Sequence, residues 1–527
     1  MRRAVAAFGT AKVREAVVET TSGKVRGTCT DGVLTFAGIP YGSSTAGTRR
    51  FRPPVKPRRW AGVRGAPATR LISPQIDPKV PPPPPGSLFA SIRETEASES
   101  EDCLNLCIWT PQADAARRPV MVWLHGGGYF SGSGSHPTYY GGRLAARGDV
   151  VVVNVTHRLN VLGHTYLGDL LGPEFGDSGN AGMLDIVLAL EWVRDNIERF
   201  GGDPKRVMIF GESGGGGKVA SLLAMPRAKG LFHRAAMQSG SVKKLTERPE
   251  ATRATAALLA ELGLKPAQAA DLQSLPLSRL MSAYFSVNAK LDRGLGGFGP
   301  VCDGVSILRH PFDPIANGLS ADVPLIIGSN LTETTLFSLG DEAAFKLDHA
   351  GLLARMAAAL GQRSGEAAVR LYRQVYPAAS PSDLYFIMGS DRSAFFRRGA
   401  IQIAELRAAQ GHAPTYLYEL LWKTTASNGQ LRSPHGLEVS LVFDNPDAPT
   451  TAPLSGGGPR AREMAAVMSS TWTRFARTGT PSSRALTWPA YDLDRRTTLL
   501  FDEVSRAEPD PFRVTREFWD ALANSML

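Results

Sequence analysis

Short aliphatic and β-branched runs recur along the chain, and each ends in turn-forming residues. The clearest are Val120 to Leu124, Val150 to Val155, Val207 to Phe210, Ala235 to Met237, Pro324 to Ile327 and Tyr416 to Leu420. Several are apolar at every position, which is the pattern of a strand covered on both faces. Between them the period lengthens. Met183, Ile186, Val187, Leu190, Val193 and Ile197 fall at helical spacing and predict an amphipathic helix over Gly182 to Arg199. Met464, Val467, Met468, Thr471, Trp472 and Phe475 predict a second one near the C-terminus. Strands alternating with helices predict an α/β protein with a mostly parallel central sheet flanked by helices on both faces. No internal repeat is visible. Pro81 to Pro85 forms a stiff, extended stretch, read as a surface connector.

Composition narrows the class without changing this picture. The 527 residues are 43% hydrophobic and 20% charged, as in an ordinary globular protein. No run approaches the roughly 18 consecutive apolar residues of a membrane span, so none is expected. The formal charge of +10 is spread along the chain rather than clustered, so no nucleic-acid partner is expected. Cys29, Cys103, Cys107 and Cys302 form neither a CxxC pair nor a metal-spaced set. That predicts no disulfide framework, no metal and a reducing, cytoplasmic compartment. Residues 1–14 are read as a flexible tail and 15–527 as one domain. Arg2 and Arg3 before Ala4 to Phe8 resemble the start of an export signal, but Gly9, Thr10 and Lys12 cut the apolar stretch short. Secretion is the alternative. The oligomeric state is not legible.

The chemistry is carried by two glycine-rich motifs. Gly211-Glu212-Ser213-Gly214-Gly215 follows the strand Val207 to Phe210 and precedes a helix-compatible run, Lys218 to Ala224. A G-x-S-x-G at a strand-to-helix junction places the serine on a sharp turn as an exposed nucleophile. Upstream, Val120 to Leu124 runs into His125-Gly126-Gly127-Gly128. An HGGG loop of this kind supplies N–H donors to a developing oxyanion. The donors expected are those of Gly127, Gly128 and Gly214. No P-loop lysine or dinucleotide fingerprint follows, and no cofactor is expected.

The remaining groups follow by elimination. A nucleophile of this type is followed in sequence by an acid and then a histidine, and catalytic groups gather at the carboxyl ends of the strands. His233 and His412 precede strands. His310 and His349 fall before or too near the acid region. His435, in Ser433-Pro434-His435-Gly436-Leu437-Glu438, follows the strand Tyr416 to Leu420 and is the general base expected. Glu333 lies just past the strand Pro324 to Ile327 and is the acid expected to hold its tautomer; Asp341 is the rival.

These residues, in this order, resemble the type B carboxylesterase family, which includes bacterial para-nitrobenzyl esterases, animal carboxylesterases and cholinesterases. The resemblance runs from about Val17 to about Phe501. It rests on FAGIPYG (36–42), RFRPP (50–54), EDCLNL (101–106), HGGG, the stretch from Gly179 to Ile197, FGGDP (200–204), GESGGG, QSGS (238–241) and FGPVCDG (298–304). It implies the α/β-hydrolase fold and hydrolysis of small-molecule carboxylic esters through an acyl-enzyme. It places the acid on Glu333 and the base on His435, and gives Glu212 and Ser239 supporting roles. An amide- or carbonate-cleaving hydrolase of the same fold is one alternative, and an esterase-like binding protein that does not catalyse is another; the presence of all three triad residues argues against the second.

Four departures from the family pattern are visible. The residue after the nucleophile is usually Ala and here is Gly214, so Gly214→Ala is expected to be tolerated. The Cys that commonly partners the one in EDCL corresponds to Ser73, leaving Cys103 unpaired. A Tyr and a Phe in the family's YRL…GF stretch become His157 and His164. The Trp that cholinesterases present before EDCL has no counterpart between Ala61 and Ser100, which disfavours a choline-ester specialist.

Overall fold

The computed structural model describes residues 14–83, 88, 97–290 and 297–524. Twelve strands run across one sheet: β1 (Arg14–Glu19), β2 (Lys24–Thr30), β3 (Val33–Pro40), β4 (Asn105–Thr110), β5 (Arg118–Leu124), β6 (Val151–Thr156), β7 (Gly202–Glu212), β8 (Arg234–Gln238), β9 (Leu325–Asn330), β10 (Thr415–Leu420), β11 (Thr497–Phe501) and β12 (Arg506–Pro509). Their order is β1-β2-β3-β4-β6-β5-β7-β8-β9-β10-β11-β12, with a short strand at Val63–Arg64 added to β2. Every pair from β6 through β11 is parallel. The N-terminal strands and β12 pair antiparallel.

The all-apolar strands are apolar because they serve two cores. Side chains alternate across a strand. Val120, Val122, Leu124, Val207 and Ile209 enter one core, while Met121, Trp123, Met208 and Phe210 enter the other. The first core is closed by α1 (Ala181–Asn196), α2 (Gly214–Leu223) and α3 (Arg397–Gln410), the second by α4 (Leu437–Val442) and α5 (Gly458–Thr478).

The six strands expected from sequence are all present, with ends shifted by a few residues. The helix expected at Gly182 to Arg199 is also present, but it is not amphipathic. Thirteen of the 16 residues of α1 are buried, and only Glu191, Arg194 and Asp195 reach solvent. In the C-terminal helix, Val467 faces outward, 37% exposed, while Met464, Met468, Trp472 and Phe475 pack inward. The expected tail at 1–14 lies outside the described residues except for Arg14, which opens β1 rather than ending a tail. Pro81 to Pro83 lie outside regular structure, and Pro84 and Pro85 fall outside the described residues. No described helix is long and apolar enough to cross a membrane.

Trp123 holds the second core together. It is fully buried, and its ring meets those of Phe210, Phe443 and Tyr139 at centroid distances of 4.9, 5.0 and 5.1 Å. Trp123→Ala should cost about 3–5 kcal/mol, because such a cavity cannot collapse fully. Urea unfolding of the variant checks this, and a loss below about 1 kcal/mol would contradict the packing described.

Candidate active site

The strand β7 ends at Glu212 and the helix α2 begins at Gly214, so the chain reverses on a single residue. Ser213 has φ 57° and ψ −123°, a conformation an L side chain rarely adopts. Such backbone costs about 1–3 kcal/mol and persists only where neighbours enforce it. Here Ser213 N–H donates to Gln238 O at 2.8 Å, and Ser213 O accepts from Gly217 N–H at 3.1 Å. The N-terminus of α2 behind it favours negative charge on this side of the turn.

The HGGG loop leaves the end of β5 beside that junction. Gly127 and Gly128 take φ 81° and 61°, which only glycine adopts freely. The carbonyl of Gly127 accepts from Ser131 N–H at 3.0 Å and Phe130 N–H at 3.3 Å, tying the loop into a closed turn. A methyl group built on Gly214 would stand 2.2 Å from Gly128 O and 2.5 Å from its Cα. The loop and the start of α2 are therefore in backbone contact. The expectation that Gly214→Ala is tolerated is overturned: the alanine of the family has no room here.

His435 is buried in the loop before α4. Its Nδ1 lies 2.7 Å from Glu333 Oε2, and its N–H reaches Glu333 O at 3.4 Å. Glu333 is fully buried just beyond β9, and its Oε1 accepts from Asn330 N–H at 2.7 Å. The rival acid, Asp341, is turned to solvent and paired with Arg355 at 2.6 Å. The imidazole is flanked by the rings of Phe337 and Phe396, at 5.0 and 5.4 Å. Its Nε2 lies 3.1 Å from Glu212 Oε1, at ion-pair distance but out of line for a hydrogen bond. Among the described residues no hydrogen bond joins Nε2 to Ser213 Oγ. The ring is turned onto the neighbour of the serine.

Glu438, which the motifs left without a role, and Ser239 complete this cluster. Glu438 lies on α4, three residues past His435. Its Oε1 accepts from Ser239 Oγ at 3.0 Å and its Oε2 from Asn330 Nδ2 at 2.5 Å. Asn330 also donates to Pro434 O at 2.7 Å. Ser239, itself at φ 47°, thus reaches the histidine loop through Glu438. Both groups stand in stretches that sequence alone singles out, but not their contact with each other. Burial pulls the His435 imidazole down, yet the carboxylates of Glu212 and Glu333 outweigh it and hold the group at about 9. Burial raises Glu212 and Glu438 well above the usual carboxylate range, helped by repulsion from Glu438 and Glu333 for Glu212 and from Glu333 for Glu438. Among the described residues no set of His, Cys, Asp or Glu is arranged to hold a metal ion. A groove of about 450 Å³ between α5 and residues 481–486, lined by Trp422, Met464 and Leu486, contains none of these groups.

The profile of the Carboxylesterase family matches residues 14–519. The chain belongs to that family. It is 34% identical over 500 residues to the para-nitrobenzyl esterase of Bacillus subtilis (strain 168), covering 94% of this chain and 96% of that one. Among solved structures it superposes on a carboxylesterase of Geobacillus stearothermophilus with a TM-score of 0.77 at 37% identity, over 95% of this chain and 99% of the other. An esterase of Clostridium hathewayi gives a TM-score of 0.82 at 31% identity, over 96% and 98%. This carboxylesterase is thus a carboxylic-ester hydrolase of the α/β-hydrolase fold.

Two predictions follow from the geometry. Protonated His435 cannot accept a proton, so kcat/KM should rise with pH through a midpoint above the ordinary histidine value of about 6.5. Glu212→Gln removes one of the charges that favour the imidazolium, so the same limb should move to lower pH by about one unit or more. A pH–rate profile for both proteins checks this, and an unmoved midpoint would contradict the contact. Gly214→Ala must displace the HGGG loop by several tenths of an ångström. Its kcat should fall by roughly 10- to 100-fold with folding intact. A variant with the parent kcat would show that the loop yields at no cost.

Proposed function

We propose that this carboxylesterase cleaves its substrate through an acyl-enzyme formed on Ser213. His435 takes the proton from Ser213 Oγ, and Glu333 holds the Nδ1–H tautomer and stabilises the imidazolium. The backbone N–H groups of Gly127, Gly128 and Gly214 receive the oxyanion of each tetrahedral intermediate. The observation that carries the reading is the 2.7 Å contact of His435 Nδ1 with a fully buried Glu333. A carboxylate accepts only, so Nδ1 carries the proton and Nε2 is left as the base.

In the free protein Nε2 rests against Glu212, so attack begins with the ring turning from Glu212 to Ser213 Oγ. Contacts of this kind tighten when substrate is bound. His435 protonates the leaving alcohol, then activates the water that releases the acid. Glu212 and the Glu438–Ser239–Asn330 set hold the imidazole in place without touching substrate. The substrate is a small-molecule carboxylic ester. Phe130 and Phe337 stand at the site with 51% and 64% of their surface exposed, which favours apolar groups on the ester.

Ser213→Ala should lower kcat by on the order of 10⁴-fold or more, with the melting temperature little changed. Hydrolysis of a short-chain nitrophenyl ester measures it, and an organophosphate should label Ser213 in the parent. A folded Ser213→Ala protein with substantial activity would refute the mechanism.

A further inference from the structure

Beneath the HGGG loop lies a second polar cluster that the mechanism does not use. Lys218, on α2, is fully buried, as are His125 and His157; His164 is 1% exposed. Lys218 Nζ donates to His125 O at 2.7 Å and lies 5.9 Å above the ring of Tyr129. The rings of His125 and His157 stack, 5.0 Å apart and 21° from parallel. His164 meets Tyr129 edge-on at 5.6 Å. A lysine buried this deeply is rare, and its charge reaches all three imidazoles.

The protonation of the cluster can be read from its hydrogen bonds. His125 Nδ1 contacts Gly126 O at 2.9 Å, His157 Nδ1 contacts Arg158 O at 2.8 Å and His164 Nδ1 contacts Gly179 O at 3.1 Å. A carbonyl only accepts, so each Nδ1 carries the proton. All three Nε2 atoms are buried without a hydrogen-bond partner among the described residues. A proton on any Nε2 would be buried without a partner. Burial first, and Lys218 after it, hold His125 and His157 well below the usual imidazole range. Burial brings Lys218 itself down to about 7, with Glu212 opposing.

The consequence for the site follows from the planarity of the peptide bond. In a trans peptide the C=O of one residue and the N–H of the next point in opposite directions. By holding Gly126 O, the His125 ring aims the Gly127 N–H. The Ser131 N–H that holds Gly127 O aims the Gly128 N–H in the same way. The third donor, Gly214 N–H, belongs to α2, which also carries Lys218. We propose that Lys218, set among the neutral imidazoles of His125, His157 and His164, is a positioning residue that fixes the HGGG donors against the α2 donor. The brace joins the two pieces of backbone that share the oxyanion, and this inference rests on the oxyanion assignment made above.

The test compares the parent enzyme with Lys218→Met and Lys218→Gln. Methionine keeps the apolar stem and removes both the donor and a charge that is costly to bury. Each protein is assayed for kcat and KM on para-nitrophenyl acetate, for the Ki of an aryl trifluoromethyl ketone, and for melting temperature. The ketone forms a tetrahedral oxyanion on the serine, whereas KM reports mainly ground-state binding. Lys218→Met is expected to lower kcat by about 10- to 100-fold and raise Ki by a similar factor, with KM within about two-fold. Lys218→Gln, which can still donate to His125 O, should show a smaller parallel change. It decides the matter alone if the methionine variant does not fold. Parent-like kcat and Ki in the folded variants would overturn the proposal, as would a fall in kcat with Ki unchanged. Failure of an organophosphate to label Ser213 in the parent would instead overturn the reading of the site on which it rests.

Discussion

The structure turns on one strained residue. Ser213 can hold φ 57° and ψ −123° only because the backbone on either side has no freedom. Gln238 at the end of β8 accepts its N–H, and the side chain of Gln238 accepts from Trp472 Nε1 at 3.1 Å. The serine is thereby tied to α5 on the far side of the sheet. The two cores converge on this turn: one packs α2 behind it, and the other fixes β8 through Trp472. A parallel sheet buried on both faces can supply that rigidity, which a surface loop could not. The strain is then offset by packing that the fold already needs.

Around that turn, charge is arranged unusually densely. Glu212 and Glu333 contact one imidazole, Glu438 lies beside them, and among the described residues none is ion-paired with a Lys or Arg. Three carboxylates in low dielectric repel one another, and the cost falls only if they share a cation or retain protons. His435 supplies the cation. The free protein is therefore stabilised with this imidazole charged. In the mechanism proposed above, the same carboxylates would stabilise the imidazolium formed when Ser213 gives up its proton.

The buried parallel strands and the motif residues were legible in the sequence because each is contiguous or falls at a strand end. Ser213, Glu333 and His435 were reached that way, and Glu333 and His435 do lie in contact. What the sequence hid depends on contacts between distant segments. The strand β2 went unrecognised in part because one of its faces meets solvent, so its residues alternate: Lys24, Arg26 and Thr28 face out between Val25 and Gly27. The helix α1 looked amphipathic because its polar residues are few and clustered near its end, yet neighbouring elements cover nearly all of it. Glu438 stood in the histidine motif, but its partners Ser239 and Asn330 lie 199 and 108 residues away. Lys218 carried a signal that could have been used, being a charged side chain in an otherwise glycine-rich and apolar helix.

The departures from the family pattern are better understood together than singly. Gly214 permits Gly128 to approach so closely that a Cβ would stand 2.2 Å from its carbonyl oxygen. One turn further along the same helix, Lys218 donates to the carbonyl of His125 at the start of that loop. His157 and His164, which replace a Tyr and a Phe, line the space that the lysine occupies. A phenol or a phenyl ring there would carry no ring nitrogen, whereas each imidazole holds a backbone carbonyl through its Nδ1. The loop is therefore drawn inward at one end by missing volume and held at the other by a buried charge. Changes in contact through one backbone segment do not add independently. Glycine at 214 is thus explained by the position of the loop, and that position by Lys218 and its histidines.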